Sequence, residues 1–538
     1  MESLRFAGGV RVTSVPSIRT TPEVTSSSPA TRRSRVDLPQ PDGPSHAGGV
    51  CSGAGEQGVC SVGVHRRGRS PAYVRHRPED TVLYGVVEEH AEVFFAQLGE
   101  QGATLPRFVH REFERYLRCG RLEEGFVRVV CTGCRHEHLV AFSCKCRGFC
   151  PSCGARRMVE SAAGLVEHVF PHVPIRQWVL SSPWPLRLLF AARPELLTRV
   201  LGVVIRALST ALARRAGYRA SDAETGLVTF IQRHGSALNL NVHAHILALD
   251  GVYTFDGERP RFHCVAPPAA EELERLLDTL IRRITRTLVR SGALVAQEYD
   301  DEEQLWLDLD PDGEEALTQL QGASIRYRIA VGPIAGRKTL RLHTPEAALD
   351  GPGREPPKPF TAARDGFSLN AAVACKARDR RKLERLCRYV ARPAIACERL
   401  SRDGDGLVVY ELKHPFRDGT THVLFEPLDF IARLAALVPR PRTHLIRFHG
   451  LFAPNARHRR LVVPAPASEG AERGATPTRA QMTWAQRLRR VFDIDLSRCA
   501  RCGAPLRVLA VITDPRVIAA ILAHLEARAA RAPPPLRH

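Results

Sequence analysis

The spacing of apolar and polar positions changes several times along the chain, and each change marks an element. From Val82 onward, Leu83, Val86, Val87, Val93, Phe94 and Leu98 recur at helical intervals. A second helix is predicted over 108–117. A strand is predicted over 177–181, broken by Pro183 and Pro185. Residues 194–215 carry Leu196, Leu197, Val200, Leu201, Val204, Ile205 and Leu208 on one side of a helix, and Leu273, Leu276, Leu277, Leu280, Ile284 and Leu288 do the same over 271–289. Between these helices two strands are predicted, 226–232 and 238–249, joined through His234-Gly235-Ser236. A basic helix follows at 378–390, then hairpin-like segments at 407–411 and 421–424.

Residues 1–75 sustain no apolar period and are rich in Ser, Thr, Pro, Gly and Arg, the composition of a disordered extension. A Pro/Gly-rich linker falls at 344–359. Helices and strands are both predicted, so the fold is mixed. The chain divides into an extension (1–75), a helical and cysteine-bearing domain (80–172), a larger domain (175–435) and a C-terminal region (436–538). A length of 538 residues is enough for two or three cores.

Composition narrows the partners. With 44% hydrophobic and 25% charged residues a sizeable core is expected. No apolar run reaches the ~18 residues of a membrane span, and no export signal is evident, so a cytoplasmic protein without a membrane partner is expected. The 77 Lys and Arg against 57 Asp and Glu give 77 − 57 = +20. That excess favours a polyanion, and nucleic acid is the commonest. Most of the cations are arginine, which a GC-rich genome also produces, and charge alone does not separate DNA from RNA.

Of the 15 cysteines, Cys131, Cys134, Cys144, Cys146, Cys150 and Cys153 crowd into one stretch. Cys131-x-x-Cys134 and Cys150-x-x-Cys153 have zinc-ribbon spacing, because each pair suits a tight turn and four thiolates close a tetrahedron. Cys119, Cys144 and Cys146 are extra thiols able to replace a ligand. Arg156 and Arg157 beside the second pair are candidate DNA contacts. Cys499-x-x-Cys502 is half a site. It would need a borrowed histidine or a second copy of the chain, or it is inert.

Residues 239–246 alternate strictly. On a strand Asn239, Asn241, His243 and His245 share one face, and Leu240, Val242, Ala244 and Ile246 the other. Two imidazoles projecting side by side suit one cation, though surface histidines share the pattern. Gln232, at the end of the preceding strand, is the candidate third ligand. On the basic helix Leu383, Leu386, Cys387 and Val390 form the buried stripe. Tyr389 falls off it, on the side of Lys382 and Arg385, which are further candidate DNA contacts. Pro393 ends the helix and leaves Tyr389 in its last turn. A phenol among cations is a candidate nucleophile toward phosphate, and an ordinary packed tyrosine would have the same spacing.

These segments resemble the insertion-sequence-91 family of transposases, within the broader class of rolling-circle, His-hydrophobic-His endonucleases. The resemblance rests on Phe142-Ser143-Cys144-Lys145, on Gly148-Phe149-Cys150-Pro151-Ser152-Cys153, on 236–245 running to Leu249-Asp250-Gly251-Val252-Tyr253, and on 383–393. Asp418-Gly419-Thr420-Thr421-His422 and Glu426-Pro427-Leu428 add to it, and it spans roughly residues 80–525. It implies an α+β fold, a zinc-ribbon module followed by an antiparallel-sheet endonuclease domain with packed helices. His243 and His245 would hold Mg²⁺ or Mn²⁺, structural Zn²⁺ would sit in the cysteine module, and Tyr389 would form a 5′-phosphotyrosine while nicking and transferring one DNA strand. The implied partner is the single-stranded end of a mobile element, met at the nucleoid. Some members carry two tyrosines four residues apart. Here those positions are Arg385 and Pro393, so a second cleavage would reuse Tyr389 or a second protomer, as in a homodimer. A replication initiator or relaxase would use the same catalytic parts. A zinc protein that only binds DNA would use none of them, and a metal hydrolase acting through water would form no covalent adduct.

Overall fold

The computed structural model describes residues 77–299, 302–307, 315–343, 359–416, 418–464, 499 and 501–530. The extension 1–75 and nearly all of the 344–359 linker lie outside the described residues. The N-terminal module opens with α1 (Val82–Glu100), whose N-cap Thr81 accepts a hydrogen bond from the Tyr84 amide, and α2 (Arg107–Leu117). A hairpin, β1 (Phe126–Cys131) and β2 (Glu137–Ala141), and α3 (Pro151–His168) complete it.

Next come β3 (Ile175–Ser181), α4 (Trp184–Ala192), α5 (Pro194–Arg215), β4 (Gly226–His234) and β5 (Leu240–Leu249). The hairpin β6 (Gly251–Asp256) and β7 (Arg259–Cys264), α6 (Ala270–Arg290) and the hairpin β8 (Leu294–Tyr299) and β9 (Glu302–Leu307) follow. Then come α7 (Glu315–Ile325), β10 (Leu340–His343), β11 (Thr361–Arg364), β12 (Phe367–Asn370), β13 (Ala374–Cys375) and α8 (Arg380–Val390). The remainder comprises β14 (Leu400–Arg402), β15 (Val408–Glu411), β16 (Thr420–Phe425), α9 (Pro427–Leu437), β17 (Ile446–Gly450), β18 (Leu506–Ile512) and a terminal helix, Pro515–Ala530.

The central sheet is antiparallel, in the order β11-β12-β3-β5-β4-β17, with β13 added to β3. Both of its faces are covered. Leu240, Val242, Ala244 and Ile246 of β5 pack with Leu197 and Val204 of α5 and Leu277 and Ile284 of α6. On the other face Val228, Phe230, Leu247 and Leu249 pack with Leu165 and Val166 of α3 and with Leu383, Leu386, Cys387 and Val390 of α8. α5 is apolar and long enough by composition to cross a membrane, which the sequence reading had excluded. Its most apolar window is 61% buried against the sheet and its neighbouring helices, as a core helix is.

The 436–538 region is not a separate unit. β17 pairs with β4 and completes the central sheet, while β18 pairs with β1 in a three-stranded sheet ordered β18-β1-β2. Both β4 and β1 would otherwise expose a row of unpaired amides and carbonyls, and the late strands satisfy them.

Candidate active site and cysteine clusters

The β5 histidines lie on the face that α3 and α8 cover. Antiparallel register sets Gln232 of β4 opposite His243 and Phe230 opposite His245, so their side chains share that face. His243 Nδ1 donates to the Asn241 carbonyl at 2.9 Å, which leaves Nε2 unprotonated, with its lone pair as an acceptor. His243 Nε2 lies 3.1 Å from His245 Nε2, and Gln232 Oε1 lies 2.9 Å from the same His245 nitrogen. Cis ligands of an octahedral ion bound at about 2.1 Å stand about 3.0 Å apart, so these three donors have the spacing of one divalent cation.

The surroundings fix their orientation. Gln232 Nε2 donates to His234 Nε2 at 3.1 Å, which aims Oε1 at His245. The Gln177 amide of β3 meets His245 Nδ1 at 2.7 Å. Burial holds His243 down to about 4 and His234 to about 3, and it lowers His245 in the same direction. The three imidazoles are therefore neutral at neutral pH, the form in which an imidazole binds a metal. Sequence reasoning missed Gln177 and His234. His234 was assigned to the connector, although it continues the period of two from Gln232.

Asp379 caps α8 by accepting from the Lys382 amide at 2.9 Å, and the apolar stripe of the helix anchors it on the sheet. Tyr389, off the stripe and half-buried, has its ring centroid 6.4 Å from that of His245, at an interplanar angle of 86°. The cation on this tyrosine is Arg392, whose guanidinium carbon stands 4.5 Å from the ring centroid. Lys382 and Arg385 are exposed on the helix surface. Gly154 of α3 touches the end of α8, since a Cβ there would lie 2.6 Å from Pro393 Cβ. Arg157 donates to the Lys145 and Cys146 carbonyls, and Arg156 meets Ser143 and Glu160, so both brace the cysteine loop.

The two predicted zinc pairs do not form one site. Cys150 and Cys153 close with Cys119 and Cys144, with sulfur separations of 3.4 to 3.8 Å along the Cys144–Cys153, Cys150–Cys119 and Cys119–Cys153 contacts. Tetrahedral zinc with bonds of about 2.3 Å places its sulfurs about 3.8 Å apart, so this buried set fits zinc. Cys131 and Cys134 meet Cys499 and Cys502 instead. The sequence reading paired nearest neighbours along the chain, whereas β1 carries Cys131 away from α3 toward β18. Cys146 stands outside both groups, its thiol facing the Glu112 carbonyl.

A module with four clustered cysteines thus joins a helix-covered antiparallel sheet that carries a histidine pair beside a tyrosine. In comparison with known families, residues 86–182 match the family described as "Transposase zinc-binding domain", of the insertion-sequence-91 group, and residues 226–460 match the one described as "Putative transposase". No curated protein and no solved structure matches. The chain belongs to the insertion-sequence-91 family of transposases. The second match runs past 435 and takes in β17, in keeping with the sheet.

Proposed function

We propose that this transposase nicks a single DNA strand through Tyr389 and transfers it by way of a 5′-phosphotyrosine, with Mg²⁺ or Mn²⁺ held by His243, His245 and Gln232. The observation that carries the reading is the cluster of three donor atoms spaced 2.9 and 3.1 Å around His245 Nε2, with the Tyr389 ring against His245. A bound divalent ion would supply Lewis-acid polarisation of the scissile phosphate. Tyr389 Oη attacks phosphorus and loses its proton. The bond to the 3′ oxygen breaks, and that oxygen leaves as a hydroxyl able to reverse the reaction at a new site. Arg392 draws the phosphate toward the phenol and offsets its charge. Gln177 holds the His245 ring. With its Oε1 turned to accept from Nδ1–H, the His245 Nε2 lone pair becomes available to the ion, in place of the proton now shared with Gln232 and His243.

The partner is DNA, and the charge of +20 suits its backbone. We propose that the bound form is the single-stranded element end, and that one tyrosine per chain is reused or supplemented by a second protomer. The test is incubation with end-labelled single-stranded DNA and Mn²⁺, followed by a denaturing gel. Label should migrate with the protein, and Tyr389→Phe should reduce it to background. Cleavage without protein-linked label would instead indicate hydrolysis by water.

A further inference from the structure

The structure assigns a second, composite metal site to Cys131, Cys134, Cys499 and Cys502, a zinc clasp that fastens the C-terminal segment to the N-terminal module. The four sulfurs lie within 4.8 Å of one another, with Cys131–Cys502 at 3.4 Å and Cys134–Cys499 at 3.6 Å. Those separations are close to the roughly 3.8 Å of tetrahedral thiolate zinc.

The backbone around the two pairs is the same turn built twice. The Cys131 amide donates to the His136 carbonyl at 2.9 Å and the Arg135 amide returns to the Cys131 carbonyl at 3.2 Å. The Cys499 amide donates to the Ala504 carbonyl at 2.7 Å and the Gly503 amide returns to the Cys499 carbonyl at 2.8 Å. The residue after each second cysteine takes a left-handed φ, 56° at Arg135 and 73° at Gly503. Arg135 bears the cost that Gly503 avoids. At Gly133 a Cβ would lie 2.8 Å from Ala504 Cβ, so only glycine lets the turns approach. Two such knuckles facing each other, above the sheet β18-β1-β2, make a zinc ribbon assembled from ends separated by 371 residues.

Apart from the pairing of β18 with β1, the segment buries few side chains. Among the described side chains after residue 498, only Cys499 and Ile518 are buried, and Val508, Leu509 and Val511 of β18 stay exposed. Two buried side chains offset only a small part of the entropy lost in ordering some 30 residues. The remainder falls to the pairing of β18 with β1 and to an ion that binds the folded arrangement and not the open one.

Cobalt titration of the full chain tests the clasp, because sulfur-to-cobalt charge-transfer absorption reports thiolate-bound ions and ignores the histidine site. Wild type should saturate at two equivalents per chain. Cys499→Ser/Cys502→Ser should saturate at one, and so should Cys150→Ser/Cys153→Ser, losing the other ion. In the first variant trypsin should cut at Arg507 and Arg516 at least about 10-fold faster, since opening no longer opposes the ion. Saturation of wild type at one equivalent, retention of two by the Cys499/Cys502 variant, or its loss of both would each overturn the proposal.

Discussion

At the scale of single residues, the site combines full burial with polar chemistry. Gln232, His234, Asn241, His243 and His245 are each less than 10% exposed in a sheet whose two faces carry helices. Uncompensated, such burial costs about 1–3 kcal/mol per group, and the chain of contacts through Gln177, His245, His243, Gln232 and His234 offsets it for those groups, while Asn241 Oδ1 has no hydrogen-bond partner. The lowered His243 value has a definite consequence for pH. The folded state keeps this imidazole neutral down to about 4, whereas the unfolded chain takes up a proton below about 6.5. Its contribution is therefore complete above pH 6.5 and is lost as pH falls toward 4, and His234 and His245 add in the same direction. The melting temperature should drop between pH 7 and 5, and His243→Ala should flatten that slope; an unchanged slope would mean the ring is not titrating as buried. Gln177→Leu keeps the volume and removes the amide. Mn²⁺ affinity, read by calorimetry, should fall about 10–100-fold with the fold intact, and an unchanged affinity would relieve Gln177 of its positioning role.

At the scale of elements, the tyrosine helix is held by what surrounds its end. Gly154 lies one residue beyond Cys153, so the buried cysteine cluster and the end of α8 meet across a single Cα. Gly154→Ala should push Pro393 outward, cost about 1–3 kcal/mol, and lower strand cleavage more than it lowers zinc content. Equal losses of both would show that it acts through the cysteine cluster alone. Strongly periodic elements were legible in the sequence. The 194–215 helix spans Pro194–Arg215 as expected, and the 271–289 helix and the 378–390 basic helix differ from the observed α6 and α8 by one or two residues at the ends that shift. The alternation over 239–246 gave the faces of β5 correctly, because period two follows directly from strand geometry. It did not reveal that both faces are buried, since that depends on α3 and α8 arriving from elsewhere in the chain. The cation over Tyr389 was missed for a similar reason: Arg392 lies past the helix end, where helical periodicity no longer places a side chain.

At the scale of the whole molecule, contacts between distant segments decided what local spacing left open. Nothing near Cys131 announces that its partners lie beyond residue 498, and nothing in 446–450 marks a strand of the central sheet. Both are consequences of open edges on β1 and β4 that other strands complete. The same long-range assembly carries Tyr389, more than 140 residues beyond the histidines, to the ring of His245. That juxtaposition is the central claim, and mapping a trapped adduct tests it most directly. The full chain, incubated with single-stranded element-end DNA and Mn²⁺, nuclease-trimmed and digested, should yield one peptide from α8 bearing a phosphonucleotide on Tyr389, with a free 3′-hydroxyl on the released strand. A nucleotide attached to any other residue, or a cleaved strand with no modified peptide, would contradict it.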